Sequence, residues 1–270
     1  MLWSPLLRRL SFWLAVTPVV LAILLLGSRV ISRAFLFPVR AVPRIAAPPD
    51  VTVHALVSRD GVPVRALELP APPGARTLVD FHNNRETAES RIDMARALRR
   101  LGLGVLLVEY RGYGGSRGAE PTEAGLYLDA EAALDMLAGR GIDPDRIVLC
   151  GTSLGTGVAA EMARRGRGSR LVLVSPYTSI PDLVSDVVPF LPARALVADR
   201  FDTLEKSASI RIPTLIIHGD SDEIVPFAMG ERLSHEIRGA RLARVTGGHH
   251  GDLFTHDGDR LLSQIAQLGR

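Results

Sequence analysis

The stretch Ile147-Val148-Leu149-Cys150-Gly151-Thr152-Ser153-Leu154-Gly155 runs, through Thr156, into Gly157-Val158-Ala159-Ala160-Glu161-Met162-Ala163. A short apolar run followed by glycines and then small residues reads as a buried strand, a sharp turn and a helix packed closely on a sheet. The turn is a G-x-S-x-G at 151–155. Reversing from strand to helix within so few residues holds the central residue in a strained conformation, and a Cβ on either flanking glycine would strike the neighbouring strand or helix. Such a turn exposes the Ser153 hydroxyl at the top of a sheet. A backbone N–H and the positive end of a helix stand beside it, ready for a developing oxyanion. The competing reading is an ordinary glycine-rich strand–helix turn.

The pattern repeats outward from that turn. Strand-type runs occupy 51–57, 62–69, 76–81, 104–109, 146–150, 170–174, 214–218 and 240–245, and helix-type stretches occupy 86–101, 123–138, 154–165, 228–237 and 257–268. Asp60-Gly61 marks a hairpin between the first two strands. Later strands such as Val105-Leu106-Leu107-Val108 are apolar throughout, so both faces must be covered. The expectation is an α/β domain over 51–270: a mostly parallel eight-stranded sheet with helices on both faces. A short insertion over 180–210, carrying Val187-Val188-Pro189-Phe190-Leu191-Pro192, is expected to cap the site as an apolar lid.

Two further segments carry chemistry. His218-Gly219-Asp220-Ser221-Asp222 follows a strand, at the end of the sheet where ligands bind in such folds. Asp220 and Asp222 compete for the role of an acid that orients a histidine; the other would stabilise the turn. Gly247-Gly248-His249-His250-Gly251-Asp252 follows the last strand, and either histidine on so glycine-rich a loop suits a general base. The adjacent histidines have no carboxylate or cysteine pattern of metal-binding spacing around them. His54, His235 and His256 read as ordinary residues. Gly112, Gly114, Gly115 and Gly118 lack the spacing and the following helix of a dinucleotide loop. No metal or cofactor is implied. Serine, then acid, then histidine along the chain is the order of α/β-hydrolases.

At these residues the sequence resembles the α/β-hydrolase superfamily, and more narrowly its small membrane-anchored α/β-hydrolase-domain proteins. The resemblance runs from about Phe37 to near the end of the chain. Val108-Glu109-Tyr110-Arg111-Gly112-Tyr113-Gly114-Gly115-Ser116 is similar to that group's D-Y-R-G-Y-G-x-S loop, with Glu109 in place of Asp. Pro121-Thr122-Glu123, then Gly125-Leu126-Tyr127-Leu128-Asp129-Ala130, and Ser175-Pro176-Tyr177-Thr178-Ser179 resemble two more of its segments. The family pattern implies Ser153 as nucleophile, Asp222 as acid and His250 as base, with His249 standing where the family has glycine. His82-Asn83-Asn84-Arg85 replaces the usual H-G-N-A, which implies an oxyanion hole from the backbone N–H groups of Asn84 and Leu154. Asn83 is suited to the glycine position because Asn tolerates left-handed backbone. Tyr177 is expected beside the substrate, as is Arg85, which either binds a substrate carboxylate or phosphate or points to water.

The N-terminal arm differs from the rest in charge. Residues 1–45 hold Arg8, Arg9, Arg29, Arg33, Arg40 and Arg44 and no acid; with a chain total of +3, the remainder carries −3. Nucleic-acid binding needs a basic face on the folded domain, so that class is set aside. Leu10 to Ser28 is 19 residues without a charge. As a helix it would reach about 28 Å, close to the hydrocarbon thickness of a bilayer. A retained single-pass anchor over 10–28 within 1–37, followed by a Pro/Ala/Arg tether over 38–50, is the expectation; a cleaved signal peptide and a buried core helix are its competitors. Pro18 is tolerated in a membrane helix, and Trp3 and Trp13 would sit near one interface. Arg8 and Arg9 before the stretch and four arginines after it give opposing indications of orientation. The single cysteine, Cys150, excludes an intrachain disulfide.

These readings combine into a membrane-anchored serine hydrolase cleaving carboxylic esters or thioesters of small acylated or lipid-like substrates. The alternatives are a peptidase or amidase with the same three residues, and a non-catalytic tethered binding protein that keeps the fold.

Overall fold

The computed structural model describes residues 33–34, 36–38, 47–116 and 118–270. The uncharged stretch 10–28 and its membrane reading lie outside these residues, as does most of the tether. Among the described residues, no helix is long and apolar enough to cross a membrane.

Strands β1 (Thr52–Val57) and β2 (Pro63–Leu69) form the expected hairpin, with Gly61 at φ +83° in its turn. The sheet continues through β3 (Thr77–Phe81), β4 (Gly104–Glu109), β5 (Ile147–Thr152), β6 (Arg170–Val174), β7 (Thr214–Gly219) and β8 (Arg241–Val245). Its order is β1-β2-β4-β3-β5-β6-β7-β8. The first three neighbours pair antiparallel, and every pairing from β4–β3 onward is parallel. The sheet is therefore eight-stranded and mostly parallel, each strand within a residue or two of its place in the sequence reading.

Continuous apolar runs bury both faces, as the sequence requires. Leu149, Leu171, Leu173 and Ile216 join Leu126 and Leu134 of α2 (Glu123–Gly139), Val158 and Met162 of α3 (Leu154–Arg164) and Leu233 of α7 (Phe227–Glu236) in one core. On the opposite face, Val148, Cys150, Val172 and Ile217 pack with Leu98 of α1 (Ile92–Arg100) and Leu261 and Ile265 of α8 (Leu253–Leu268). Alternate residues of one strand thus feed two separate cores, the strand period of two at work.

The insertion folds as α4 (Ile180–Val187), α5 (Ala193–Leu196) and α6 (Thr203–Ser207), with Ser179 and Asp202 capping the first and last through side-chain oxygens. Helix α8 starts four residues earlier than the sequence pattern suggests, because a non-helical Asp257 (φ −147°, ψ 36°) interrupts it and hides its first turn from a periodicity reading.

Candidate active site

Ser153 caps α3 with φ 50° and ψ −114°, a backbone conformation that L residues rarely adopt. Its neighbours enforce it. A Cβ on Gly155 would lie 1.9 Å from the Phe81 carbonyl oxygen, and one on Gly151 would lie 2.2 Å from that of Gly155. The Ser153 N–H donates to the Val174 carbonyl (2.9 Å), and its own carbonyl accepts from the N–H (2.9 Å) and hydroxyl (2.6 Å) of Thr156. Backbone bonding on both sides fixes the direction in which the hydroxyl points.

His250 reaches that hydroxyl from the loop after β8: its Nε2 lies 3.0 Å from Ser153 Oγ. On the other edge of the ring, Nδ1 lies 2.8 and 3.0 Å from the two carboxylate oxygens of Asp222. A carboxylate can only accept, so Nδ1 carries the proton and Nε2 is left to accept from the serine. The Asp222 side chain is fully buried. It accepts the backbone N–H groups of Ile224 (3.0 Å) and Val225 (2.8 Å), and His218 Nε2 stands 3.3 Å from it. Burial alone would push this carboxyl up; the bonds from His218, His250 and Val225 outweigh it and hold the group well below the usual carboxylate range. The acid is therefore charged wherever the protein is folded near neutrality.

The two ambiguous pairs separate in space. Asp220 accepts from Gly247 N–H (2.7 Å) and Arg244 Nε (2.8 Å), tying the histidine loop to β7. His249 faces away, with Nδ1 3.2 Å from the exposed Glu223. Only Asp222 and His250 line up with Ser153.

The backbone N–H groups of Leu154, the residue after the serine, and of Asn84 have no hydrogen-bond partner among the described residues. The loop that carries Asn84 is tightly held. His82 is wholly buried against Tyr110 and Tyr113 (ring centroids 4.3 and 5.1 Å), and its Nδ1 donates to the Asn83 carbonyl (2.7 Å). Burial pushes its pKa down to about 4, so the ring is neutral at neutral pH. Asn83 Oδ1 accepts the Arg85 N–H (2.7 Å), a local turn suited to Asn, and Asn84 Nδ2 donates to the Leu36 carbonyl (3.2 Å). Arg85 is exposed, without a side-chain hydrogen bond or ion pair among the described residues. Tyr177 is buried under the turn, and its hydroxyl donates to the Leu154 carbonyl (3.2 Å). Its ring is therefore part of the support beneath Ser153 and does not border open space.

Two contributors escape a sequence reading. His218 sits in an apolar strand, four residues before Asp222, and nothing local marks it as that carboxylate's neighbour. Arg91 is buried with Nε and Nη2 on Asp80 and Nη2 on Thr152 (each 3.1 Å), joining β3, α1 and the serine turn. It borders a cavity of about 180 Å³ beside His250, with Asn83, Glu86, Met94, Leu253 and Phe254 among the other lining residues. No lid residue lines that cavity.

The family described as serine aminopeptidase, S33 matches residues 73–204. An uncharacterized protein of Mycobacterium tuberculosis is 37% identical over 223 residues, covering 81% of this chain and 78% of that one. The alpha/beta hydrolase domain-containing protein WAV2 of Arabidopsis thaliana is 35% identical over 190 residues, covering 63% of this chain and 61% of that one. Among solved structures, an esterase of Pyrococcus furiosus, Pf2001, superposes with a TM-score of 0.70 at 17% identity, covering 84% of this chain and 96% of that one. The chain belongs to the α/β-hydrolase family. In this hydrolase the matched family segment holds Asn84, Ser153 and Tyr177 and stops before β7. Asp222 and His250 come from beyond it, so their part in the site rests on geometry.

Proposed function

We propose that this α/β-hydrolase is a membrane-anchored serine hydrolase that cleaves carboxylic ester or thioester bonds of small acylated or lipid-like substrates. The observation that carries the reading is the continuous hydrogen-bonded line from Ser153 Oγ through His250 to the buried Asp222.

Each step follows from that line. His250 Nε2 takes the Ser153 proton as Oγ attacks the acyl carbonyl, and Asp222 stabilises the imidazolium so formed. The negative charge moves to the carbonyl oxygen, which the Leu154 and Asn84 N–H groups receive; each such donor is worth about 3 kcal/mol in the transition state. Both N–H groups are preorganised: the Ser153 carbonyl on the Leu154 N–H's own peptide is held by Thr156, Tyr177 anchors the next carbonyl, and His82 and Asn83 brace the Asn84 loop. His250 then protonates the leaving group. A water, deprotonated by the same Nε2, hydrolyses the acyl-enzyme and returns Ser153. Residues of the chain supply every proton transfer. Arg85 is free to meet a carboxylate or phosphate on the substrate. The uncharged 10–28 stretch supports the anchor and, with it, lipid-like substrates.

A second reading, an aminopeptidase or amidase on the same residues, is favoured by the description of the family matched at 73–204. Rates on an ester, a thioester and an amide with the same acyl group decide between them, with Ser153→Ala as control. The proposal expects the ester and thioester to be cleaved at least about 100-fold faster than the amide. Preferential amide cleavage replaces it with the second reading, and no turnover of any of the three overturns both.

A further inference from the structure

Where the chain enters the folded domain bears on what the lid is for. Arg33 Nε donates to Asp199 Oδ2 (2.8 Å), and Asp199 is itself fixed by the Glu123 N–H (2.8 Å). Three residues on, the Leu36 carbonyl accepts from Asn84 of the oxyanion loop, and the buried ring of Phe37 stands edge-on to Phe201 at 6.3 Å. Asp199 and Phe201 belong to the lid. Arg33, Leu36 and Phe37 thus tie the lid to the loop that carries Asn84, at the end of the sheet where the parallel strands finish.

At that same end the lid tip is apolar and uncovered. Val187, Val188, Phe190 and Leu191 are 78, 45, 97 and 38% exposed. Four of the seven large exposed hydrophobic residues among the described residues fall within these five positions. Scattered apolar residues are ordinary on a soluble surface; a concentration of this kind marks a contact. The sequence reading expects the run to cap the catalytic cleft, yet it faces outward and lines no part of the cavity beside His250.

The chain itself indicates what covers it. The uncharged stretch ends at Ser28, five residues before Arg33. Five residues span at most about 18 Å when fully extended. An embedded 10–28 segment therefore holds Arg33 within that distance of the membrane surface, with the base of the lid one side-chain length beyond it. Folding of the stretch back onto the tip is the poorer solution: 19 apolar and uncharged residues have far more surface to bury than four side chains can cover.

We propose that the lid tip, residues 187–191, seats in the bilayer interface beside the N-terminal stretch, so that the cleft over Ser153 opens against the membrane and receives acylated substrate from it. This rests on the membrane-anchored reading of 10–28, and the test separates the two. The full chain carries an environment-sensitive fluorophore on Phe190→Cys or, for reference, on Arg238→Cys, an exposed position in the turn before β8 at the opposite end of the sheet; Cys150 is buried and stays unlabelled. Each protein is mixed with phosphatidylcholine vesicles, with and without nitroxide-bearing lipid, and floated on a density gradient. Co-flotation with at least twofold quenching at 190 and none at 238 is expected. Co-flotation without quenching at 190 leaves the anchor standing and overturns the lid proposal. A blue-shifted but unquenched label at 190 assigns the patch to protein, either a second copy or the chain's own stretch, and also overturns it. Failure to float overturns the anchor together with the lid.

Discussion

The serine turn and the lid tip lie at the same end of the sheet and are built in opposite ways. Every residue of β5 and every residue from Leu154 to Ala163 is buried, and Ser153 is pinned in a conformation that its neighbours impose. At the lid tip Phe190 is 97% exposed and Val187 is 78% exposed. One region uses packing and backbone hydrogen bonds to fix the direction of a single hydroxyl; the other leaves apolar side chains exposed. The difference places chemistry on the rigid ends of strands and contact with the surroundings on the insertion between β6 and β7.

Substitutions at the two regions should therefore differ in size of effect. The largest effect is expected where the rigid end aligns protons. Asp222→Asn presents an amide to His250 Nδ1 and favours the wrong tautomer, and kcat should fall by about 10⁴. Asp220→Asn, two residues away, keeps an acceptor for the Gly247 N–H and should cost less than about tenfold, since it touches neither His250 nor Ser153. Equal losses in kcat for the two would remove the distinction between an acid and a turn residue.

Next in size is Gly155→Ala. Its Cβ has no room against the Phe81 carbonyl, so chemical denaturation should show a loss of about 3 kcal/mol or more. His82 comes close behind, through pH. Its folded pKa of about 4 lies below the unfolded value of about 6.5, so the unfolded chain binds the extra proton first as pH falls. Stability is full above pH 6.5, declines between 6.5 and 4, and the contribution totals roughly 3 kcal/mol. Unfolding free energies measured across that window should flatten by this amount in His82→Gln. At the other extreme, Phe190→Ser should change stability by no more than about 0.5 kcal/mol, since the ring buries almost nothing within the domain. A loss of several kcal/mol there would mean that the lid tip is packed after all.

Much of the rigid end is legible in the chain because its signals are local. Continuous apolar strands, glycines 151 and 155 around Ser153, and Asp60-Gly61 each write their structure within a few residues. The acid and base are less so: Asp220 and Asp222 share a turn, His249 and His250 share a loop, and only family resemblance chose between them before the distances did. What stays hidden is held by contacts remote in sequence or masked by irregular backbone. Arg33 meets Asp199 across 166 positions, and Arg91 meets Thr152 across 61. His218 looks like one more strand residue until the turn after β7 brings Asp222 back against it. The lid's apolar run was legible as apolar, but its outward direction depends on how three short helices pack, which no periodicity encodes.

The most direct measurement is labelling of the full chain with a fluorophosphonate ester, followed by mass spectrometry of the modified peptide. One adduct is expected, on Ser153, that disappears in Ser153→Ala and forms far more slowly in His250→Ala. An unreactive wild-type chain, or an adduct on another residue, contradicts it.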